Sequence, residues 1–151
     1  MRHLALVGVP LAALALAACG SGEDPVEKPR LEMSAAEMAS RPPIAIQPPH
    51  GPAPRELVVR DPRRGSGAAM KEGDAILIAW VEVPYDEASE KTASSPEREL
   101  KFSFGKYIEG WEEGLLGMRV GGRRELIVPL RLGDTGQTMI YAIDLLGVEP
   151  S

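Results

Sequence analysis

Short apolar runs that alternate with polar residues, each bounded by turn residues, fill the chain from Leu57 to Glu149. Alternation with a period of two places successive side chains on opposite faces of an extended strand, so the pattern predicts an antiparallel sheet. The predicted strands are residues 56–60, 75–83, 99–104, 123–129 and 138–149. The second strand is fairly apolar on both faces, which predicts a position inside the sheet rather than at its edge.

One short helix is predicted between the third and fourth strands. Its apolar residues follow steps of three and four, which form a stripe of two to three helical turns: Ile108, Trp111, Leu115 and Met118. Gly117 or Gly121 can close this helix in a left-handed cap. The sequence therefore predicts an α+β fold, a curved five-stranded antiparallel sheet wrapped around one short helix, with Trp111 on the concave side.

The N-terminus has the composition of a secretory signal peptide. Arg2 provides a basic start, an apolar run begins at Leu4, and small residues precede Cys19. A membrane span needs roughly 20 apolar residues, and this run is shorter and is interrupted by Gly8 and Pro10. We therefore expect cleavage after residue 18.

Residues 16–19, Leu-Ala-Ala-Cys, resemble the lipobox of bacterial lipoproteins. In that family the cysteine is diacylated and becomes the new N-terminus, so the resemblance implies lipid attachment at Cys19 and a location in the bacterial periplasm. Gly20 after the cysteine implies the outer membrane under the family's sorting rule. Cys19 is also the sole cysteine, which excludes an intramolecular disulfide.

Proline dominates the region after the predicted signal, where eight of the fourteen prolines fall between Pro25 and Pro54. This composition predicts a linker rather than a core. The chain is thus expected to divide into a signal peptide (1–18), a lipidated cysteine with a proline-rich linker (19–55) and a folded domain (56–149). The formal net charge is −5, and cleavage would remove Arg2 and no acidic residue, giving −6. This acidity argues against nucleic acid as a partner.

Four segments of the predicted domain carry a resemblance to a known family: KEGDAILIAW, LKFSFG, TMIYAIDLLGVE, and GWEEGLLGM with the VGG and strand that follow it. They resemble FKBP-type peptidyl-prolyl cis-trans isomerases, in order from about Leu57 to Glu149. The resemblance implies an enzyme of that type, acting without a cofactor on proline-containing polypeptides or unfolded exported proteins.

The resemblance also implies a pocket for the prolyl ring. Trp111 corresponds to its floor, Tyr107 and Ile108 to the helix entrance, and Tyr141 to a Phe of the last strand. Three further positions differ from the family in residue type: Trp80 replaces a Tyr, Leu100 replaces a Phe and Leu132 replaces a Tyr. The implied substrate-binding residues are Trp80, Leu100, Tyr107, Ile108, Trp111, Leu132 and Tyr141.

The rim of the implied pocket departs further from the family. The usual Phe-Asp-Ser-Ser run has Thr92-Ala93-Ser94-Ser95 as its nearest counterpart, without the aromatic ring and the carboxylate. The long flap before the last strand shrinks to residues 133–137, little more than a hairpin turn. These departures leave a second hypothesis open, a binding module or chaperone that kept the fold and lost turnover. A third hypothesis is a structural lipoprotein subunit.

The chemistry of prolyl isomerisation needs no nucleophile. The barrier of roughly 20 kcal/mol arises because the planar amide loses its resonance midway, and a protein lowers it by binding the twisted form more tightly than the planar one. His3 and His50 lie outside the predicted domain, so a Ser-His-Asp triad or a His-ligated zinc has no histidine there. We expect no metal.

Overall fold

The structure, a computed structural model, describes residues 32–88 and 98–151, except for the side chains of residues 98–100. The predicted signal peptide, the lipid attachment at Cys19 and the boundary at residue 18 lie outside the described residues. No helix within the described ranges is both long and apolar enough to cross a membrane.

Five antiparallel strands form one sheet, in the order β1-β4-β5-β2-β3. Their bounds are β1 Val58–Arg63, β2 Ala75–Pro84, β3 Arg98–Ser103, β4 Arg123–Val128 and β5 Met139–Glu149. The predicted fold class is confirmed, and β2 lies inside the sheet, between β5 and β3, as its two apolar faces indicate.

The first strand differs from its prediction at both ends. It was expected at residues 56–60 with a turn from Asp61, but β1 extends to Arg63. Its pairing with β4 shifts register between Arg60 and Arg63, and Pro62 lies inside this irregularity. Proline lacks the N–H that a ladder needs, and an edge strand with a bulge accommodates it. Asp61 and Pro62 therefore wrongly predicted a turn at residues that belong to the strand.

The predicted helix, α2, spans Glu109–Leu115, two turns, with Ile108 at its N-cap. Gly117 follows the C-cap residue with φ +73° and so closes the helix in the left-handed conformation that glycine adopts without strain. The helix approaches β4 closely, because a Cβ at Gly110 would lie 2.5 Å from Cγ1 of Val128. Trp111 and Leu115 are thereby pressed into the concave side of the sheet, as predicted.

Period-two alternation divides the apolar side chains of the sheet between two faces, as the sequence indicates. The concave face buries one cluster against α2, with members from β2, β3, β4 and β5: Ile76, Ile78, Phe102, Leu126, Val128, Met139, Tyr141, Ile143 and Leu145. The opposite face buries a second cluster: Ala79, Val81, Val83, Ile127, Ile140, Ala142 and Leu146.

The second face is covered by an N-terminal strap, residues 32–46. Ile44 and Ile46 are 3% and 1% exposed and join the second cluster. The strap contains a second short helix, α1, Ala35–Ser40, whose first turn is held by a capping box between Ser34 and Glu37. Composition predicts a linker through residue 55, but residues 32–46 pack against the sheet. Two isoleucines among prolines are too few to define a period, so the local pattern does not indicate this packing.

The strap is also held by polar contacts. Arg41 Nη1 donates to Asp144 Oδ2 at 2.9 Å, and Arg123 donates to the carbonyl oxygens of Pro42 and Pro43 at 2.8 Å each. Asp144 is fully buried in β5. Hydrogen bonds to charged groups contribute about 1.5–3 kcal/mol each, so the strap is an integral part of the folded domain.

Candidate functional site

A cleft of about 500 Å³ opens beside Trp111 on the concave side of the sheet. The structure brings six of the seven predicted site residues together in its lining: Trp80, Tyr107, Ile108, Trp111, Leu132 and Tyr141. The seventh, Leu100, pairs through its backbone with Ile78, but its side chain lies outside the described part. The predicted rim segment Thr92–Ser95 lies outside the described residues as well.

Three rings fix the indole of Trp111, which is 5% exposed. Trp80 and Tyr141 meet it edge to face, with centroids at 5.5 Å and 5.2 Å, and Tyr107 stacks on it at 6.1 Å. Such aromatic pairs contribute about 0.5–1.5 kcal/mol each beyond the burial of their area. The floor of the cleft is therefore rigid before any ligand binds.

The N–H of the Trp111 indole carries an unused hydrogen-bonding capacity. Its Nε1 atom is buried and has no hydrogen-bond partner among the residues that the structure describes. A buried donor without a partner costs about 1–3 kcal/mol, and such groups in native proteins often belong to binding sites. The Trp111 indole therefore places an unsatisfied buried donor in the floor of the cleft.

Tyr141 brings a neutral hydroxyl to the cleft from β5. Burial raises the pKa of its phenol well above the usual value, and the carboxylates of Glu82 and Asp134 raise it further. The phenol therefore stays protonated at every physiological pH and can both donate and accept a hydrogen bond.

Sequence reasoning missed the charged lining of the cleft, which is formed by Glu82, Lys106, Glu109, Arg131 and Asp134. Simple signals could have found most of them. Glu82 follows Trp80 by two positions on β2 and therefore shares its face. Lys106 and Glu109 flank the predicted pair Tyr107 and Ile108.

No group of three or more His, Cys, Asp or Glu residues within residues 32–88 and 98–151 is placed to hold a metal ion. Besides its charged side chains, the cleft offers an aromatic floor, apolar walls at Ile108 and Leu132, and the neutral hydroxyl of Tyr141. Such a site can hold an apolar ring and a nearby amide.

The family model for FKBP-type peptidyl-prolyl cis-trans isomerases matches residues 68–145, which is just over half of the chain. The chain belongs to this family. This FKBP domain is 33% identical over 114 residues to an FK506-binding protein of Streptomyces anulatus, with 66% of this chain and 92% of that protein covered. It is also 33% identical over 111 residues to a probable FK506-binding protein of Corynebacterium glutamicum, with 67% and 94% covered.

Among solved structures, the FKBP domain is similar to FkpA from Escherichia coli, with a TM-score of 0.50 and 25% identity. The likeness covers 62% of this chain and 48% of that one, so the chain spans about half the length of FkpA. The matched family region, residues 68–145, begins after the strap and β1. The strap therefore lies outside the part of this FKBP chain that the family model defines.

Proposed function

We propose that this protein is a peptidyl-prolyl cis-trans isomerase that assists the folding of proline-containing polypeptides, among them exported proteins. The observation that carries the proposal is the open cleft of about 500 Å³ whose lining includes the buried ring of Trp111. Membership of the FKBP-type family supports it. A five-membered ring is far smaller than this cleft, which supports the entry of a substrate proline.

In the proposed mechanism the cleft holds the prolyl ring between Trp111, Trp80 and Leu132. Removing water from the amide favours the twisted form, whose lost resonance makes it less polar than the planar amide. Ile108 precedes the first helical turn, so its backbone N–H stands outside the helical ladder. We assign this N–H and the Tyr141 hydroxyl as the donors to the substrate carbonyl groups, because both belong to residues that line the cleft.

A proline-peptide isomerisation assay tests the proposal. The chain from Gly20 to Ser151 contains every described residue and lacks the predicted signal. We expect it to accelerate cis-to-trans exchange of an Ala-Leu-Pro-Phe peptide, measured by two-dimensional exchange NMR, in proportion to its concentration. Turnover would be excluded if the exchange rate equals that in buffer at a protein concentration on the order of 10–50 μM, with about one active site for every few substrate molecules.

A binding module without turnover is the second candidate. Leu132 is 3% exposed and offers no hydroxyl, where the sequence resemblance implies a tyrosine. The turn at Gly133–Gln137 leads directly into β5 at Met139. Binding of a proline peptide without faster exchange would favour this candidate. If the Trp111→Ala variant still binds the peptide, the cleft is not the binding site of either the isomerase or the binding module.

We further propose that Cys19 carries a lipid that anchors the protein to a membrane facing the bacterial periplasm, with the outer membrane as the favoured location. The support is the resemblance of residues 16–19 to a lipobox. Metabolic labelling with an alkyne fatty acid tests it, because the wild type would carry the label and Cys19→Ser would not. Equal labelling of both proteins, or recovery of the wild type in the soluble fraction, would contradict the anchor.

A further inference from the structure

The strap determines where the chain enters the folded domain. Glu32 pairs with Gly147, and the Met33 N–H donates to the Leu146 carbonyl oxygen at 2.8 Å. Tyr141, in the lining of the cleft, precedes Gly147 by six residues on the same strand. At about 3.3 Å per residue the two positions lie roughly 20 Å apart. The chain therefore enters near one end of β5, and the cleft lies at the other.

Arginines gather at the end where the chain enters. We call this group of side chains the basic end: Arg41, Arg63, Arg64, Arg119, Arg123 and Arg124. Arg41, Arg63 and Arg123 lie within 2.6–3.5 Å of the buried carboxylate of Asp144. One carboxylate neutralises one of the three guanidinium charges, so this group keeps a net positive charge.

The remaining arginines of the basic end surround a second cleft of about 330 Å³. Arg124 makes a bidentate pair with Asp61 at 2.7 and 3.1 Å, whereas Arg64 and Arg119 are exposed at its walls. An adjoining cleft of about 220 Å³ joins it to the strap through Arg41, Arg63 and Arg64. The two clefts form one continuous surface beside Met33 and Gly121.

The charge of this surface opposes that of the chain as a whole. Within residues 32–88 and 98–151, six arginines of this surface face three carboxylates, Glu37, Asp61 and Asp144, which leaves a formal surplus of three positive charges. The chain without the predicted signal carries −6, so its residues outside this surface carry −9. Such a separation orients a protein on a charged surface, with its basic end toward the negative side.

The backbone between the exposed arginines is held closely. A Cβ at Gly65 would lie 2.3 Å from the carbonyl oxygen of Arg119 and 2.5 Å from the backbone nitrogen of Gly122. The loop carrying Arg64 therefore packs directly on the segment carrying Arg119. The backbone positions of these two arginines are therefore fixed relative to each other, which lowers the cost of presenting both guanidinium groups to one anionic surface.

We propose that the basic end binds the phosphodiester headgroups of anionic phospholipids and turns the proline cleft away from the membrane. The proposal rests on the lipid anchor proposed at Cys19. Twelve residues, 20–31, separate that cysteine from the strap, and they span at most about 45 Å when fully extended. Because the strap packs against the sheet from residue 32 onward, the chain from the anchor enters the folded domain beside the basic end, and that end is held within this distance of the bilayer.

Vesicle binding by the unlipidated chain, residues 20–151, tests the proposal without requiring the anchor. We expect co-flotation with vesicles containing 30% phosphatidylglycerol at low salt, and none with phosphatidylcholine alone. The double variant Arg64→Gln/Arg119→Gln should weaken binding by roughly tenfold to thirtyfold, given about fivefold for each arginine near an anionic surface. Arg55→Gln/Arg60→Gln removes the same charge from two exposed positions outside the three clefts and should bind like the wild type.

Three results would overturn the proposal: no flotation of the wild type, equal losses in the two double variants, or equal binding to both vesicle types. Competition by millimolar inorganic phosphate to the same extent on every vesicle would show a free-phosphate site instead. Binding to phosphopeptides in preference to vesicles would indicate a protein partner. Isomerase activity and fatty-acid labelling of Cys19 are measured in separate assays. A negative result in either of them is therefore distinguishable from a lack of vesicle binding by the basic end.

Discussion

Trp80 and Trp111 meet edge to face, with ring centroids 5.5 Å apart and planes inclined at 81°. One ring comes from an inner strand and the other from the first turn of α2, so the contact joins the sheet to the helix inside the cleft. Trp111 makes a second edge contact with Tyr141 at 5.2 Å. The floor of the cleft is thus a set of mutually supporting rings rather than one isolated indole.

Removal of the central indole should lower catalysis in the protein that remains folded, in addition to reducing stability. Trp111→Ala is expected to lower kcat/KM for a proline peptide by about 10²-fold, as loss of substrate positioning does elsewhere, and to destabilise the fold by about 3–5 kcal/mol. Leu115→Ala is the matched control, because Leu115 is fully buried on the same helix but does not line the cleft. It should cost about 2–5 kcal/mol and leave kcat/KM of the folded protein unchanged. Equal losses in both variants would show that Trp111 acts only in packing.

The raised pKa of Tyr141 predicts a loss of stability in alkali. Its phenol ionises near pH 10 in the unfolded chain but at a higher pH when folded, because of burial and the nearby carboxylates. The unfolded state therefore releases this proton first, so stability is unaffected below pH 10 and falls above it by up to about 1.4 kcal/mol per pH unit. Urea unfolding of the wild type and Tyr141→Phe between pH 8 and 11 should show two curves that diverge only above pH 10. Parallel curves throughout would refute the assignment.

Two glycines of α2 should differ in their tolerance of a methyl group. A Cβ at Gly110 would lie 2.5 and 2.9 Å from the two γ-carbons of Val128, a stiff β-branched side chain. A Cβ at Gly114 would meet the δ-carbons of Leu126 at 2.7 and 2.8 Å, which are at the end of a more flexible side chain. Gly110→Ala should therefore destabilise the fold by about 1–3 kcal/mol. Gly114→Ala should cost less, because the end of the Leu126 side chain can move aside, and the gain in helix propensity from alanine then offsets part of the loss.

Denaturant titration measures the difference between the glycine variants. The double variant Gly110→Ala/Val128→Ala removes the opposing γ-carbons and should recover part of the loss relative to the sum of the single changes. Additive losses would mean that the helix moves away from β4 as a whole.

Truncation within the strap should show that it belongs to the core. Ile46 is 1% exposed, so Ile46→Ala should destabilise the domain by about 2–5 kcal/mol. Gln47→Ala is the control, because Gln47 is exposed and surface changes usually stay within about 0.5 kcal/mol. Urea unfolding of the chain from Gly20 to Ser151 measures both. If the strap were a linker, both substitutions would change the free energy of unfolding by nearly zero. That result would show that the strap does not pack against the sheet in solution.

Local pattern was sufficient for the sheet and the helix. Alternation separated Ile76 and Ile78 from Ala79 and Val81 on the two faces of β2, and steps of three and four placed Trp111 and Leu115 on the buried side of α2. Such patterns depend on neighbouring residues alone, so they are legible without the fold. The cleft residues required the family resemblance, because nothing in the spacing of Trp80, Leu132 and Tyr141 links them.

Only the tertiary structure decided what covers the second face of the sheet and how charge is distributed around the domain. Arg41 contacts Asp144 across 103 residues of sequence, and Ile46 fills a face that alternation marks as apolar without naming its partner. The same holds for the charged lining of the cleft, where Glu82 and Asp134 meet at Tyr141 from different elements. Contacts between distant segments depend on how elements pack against one another, and periodicity within a single segment carries no information about that packing.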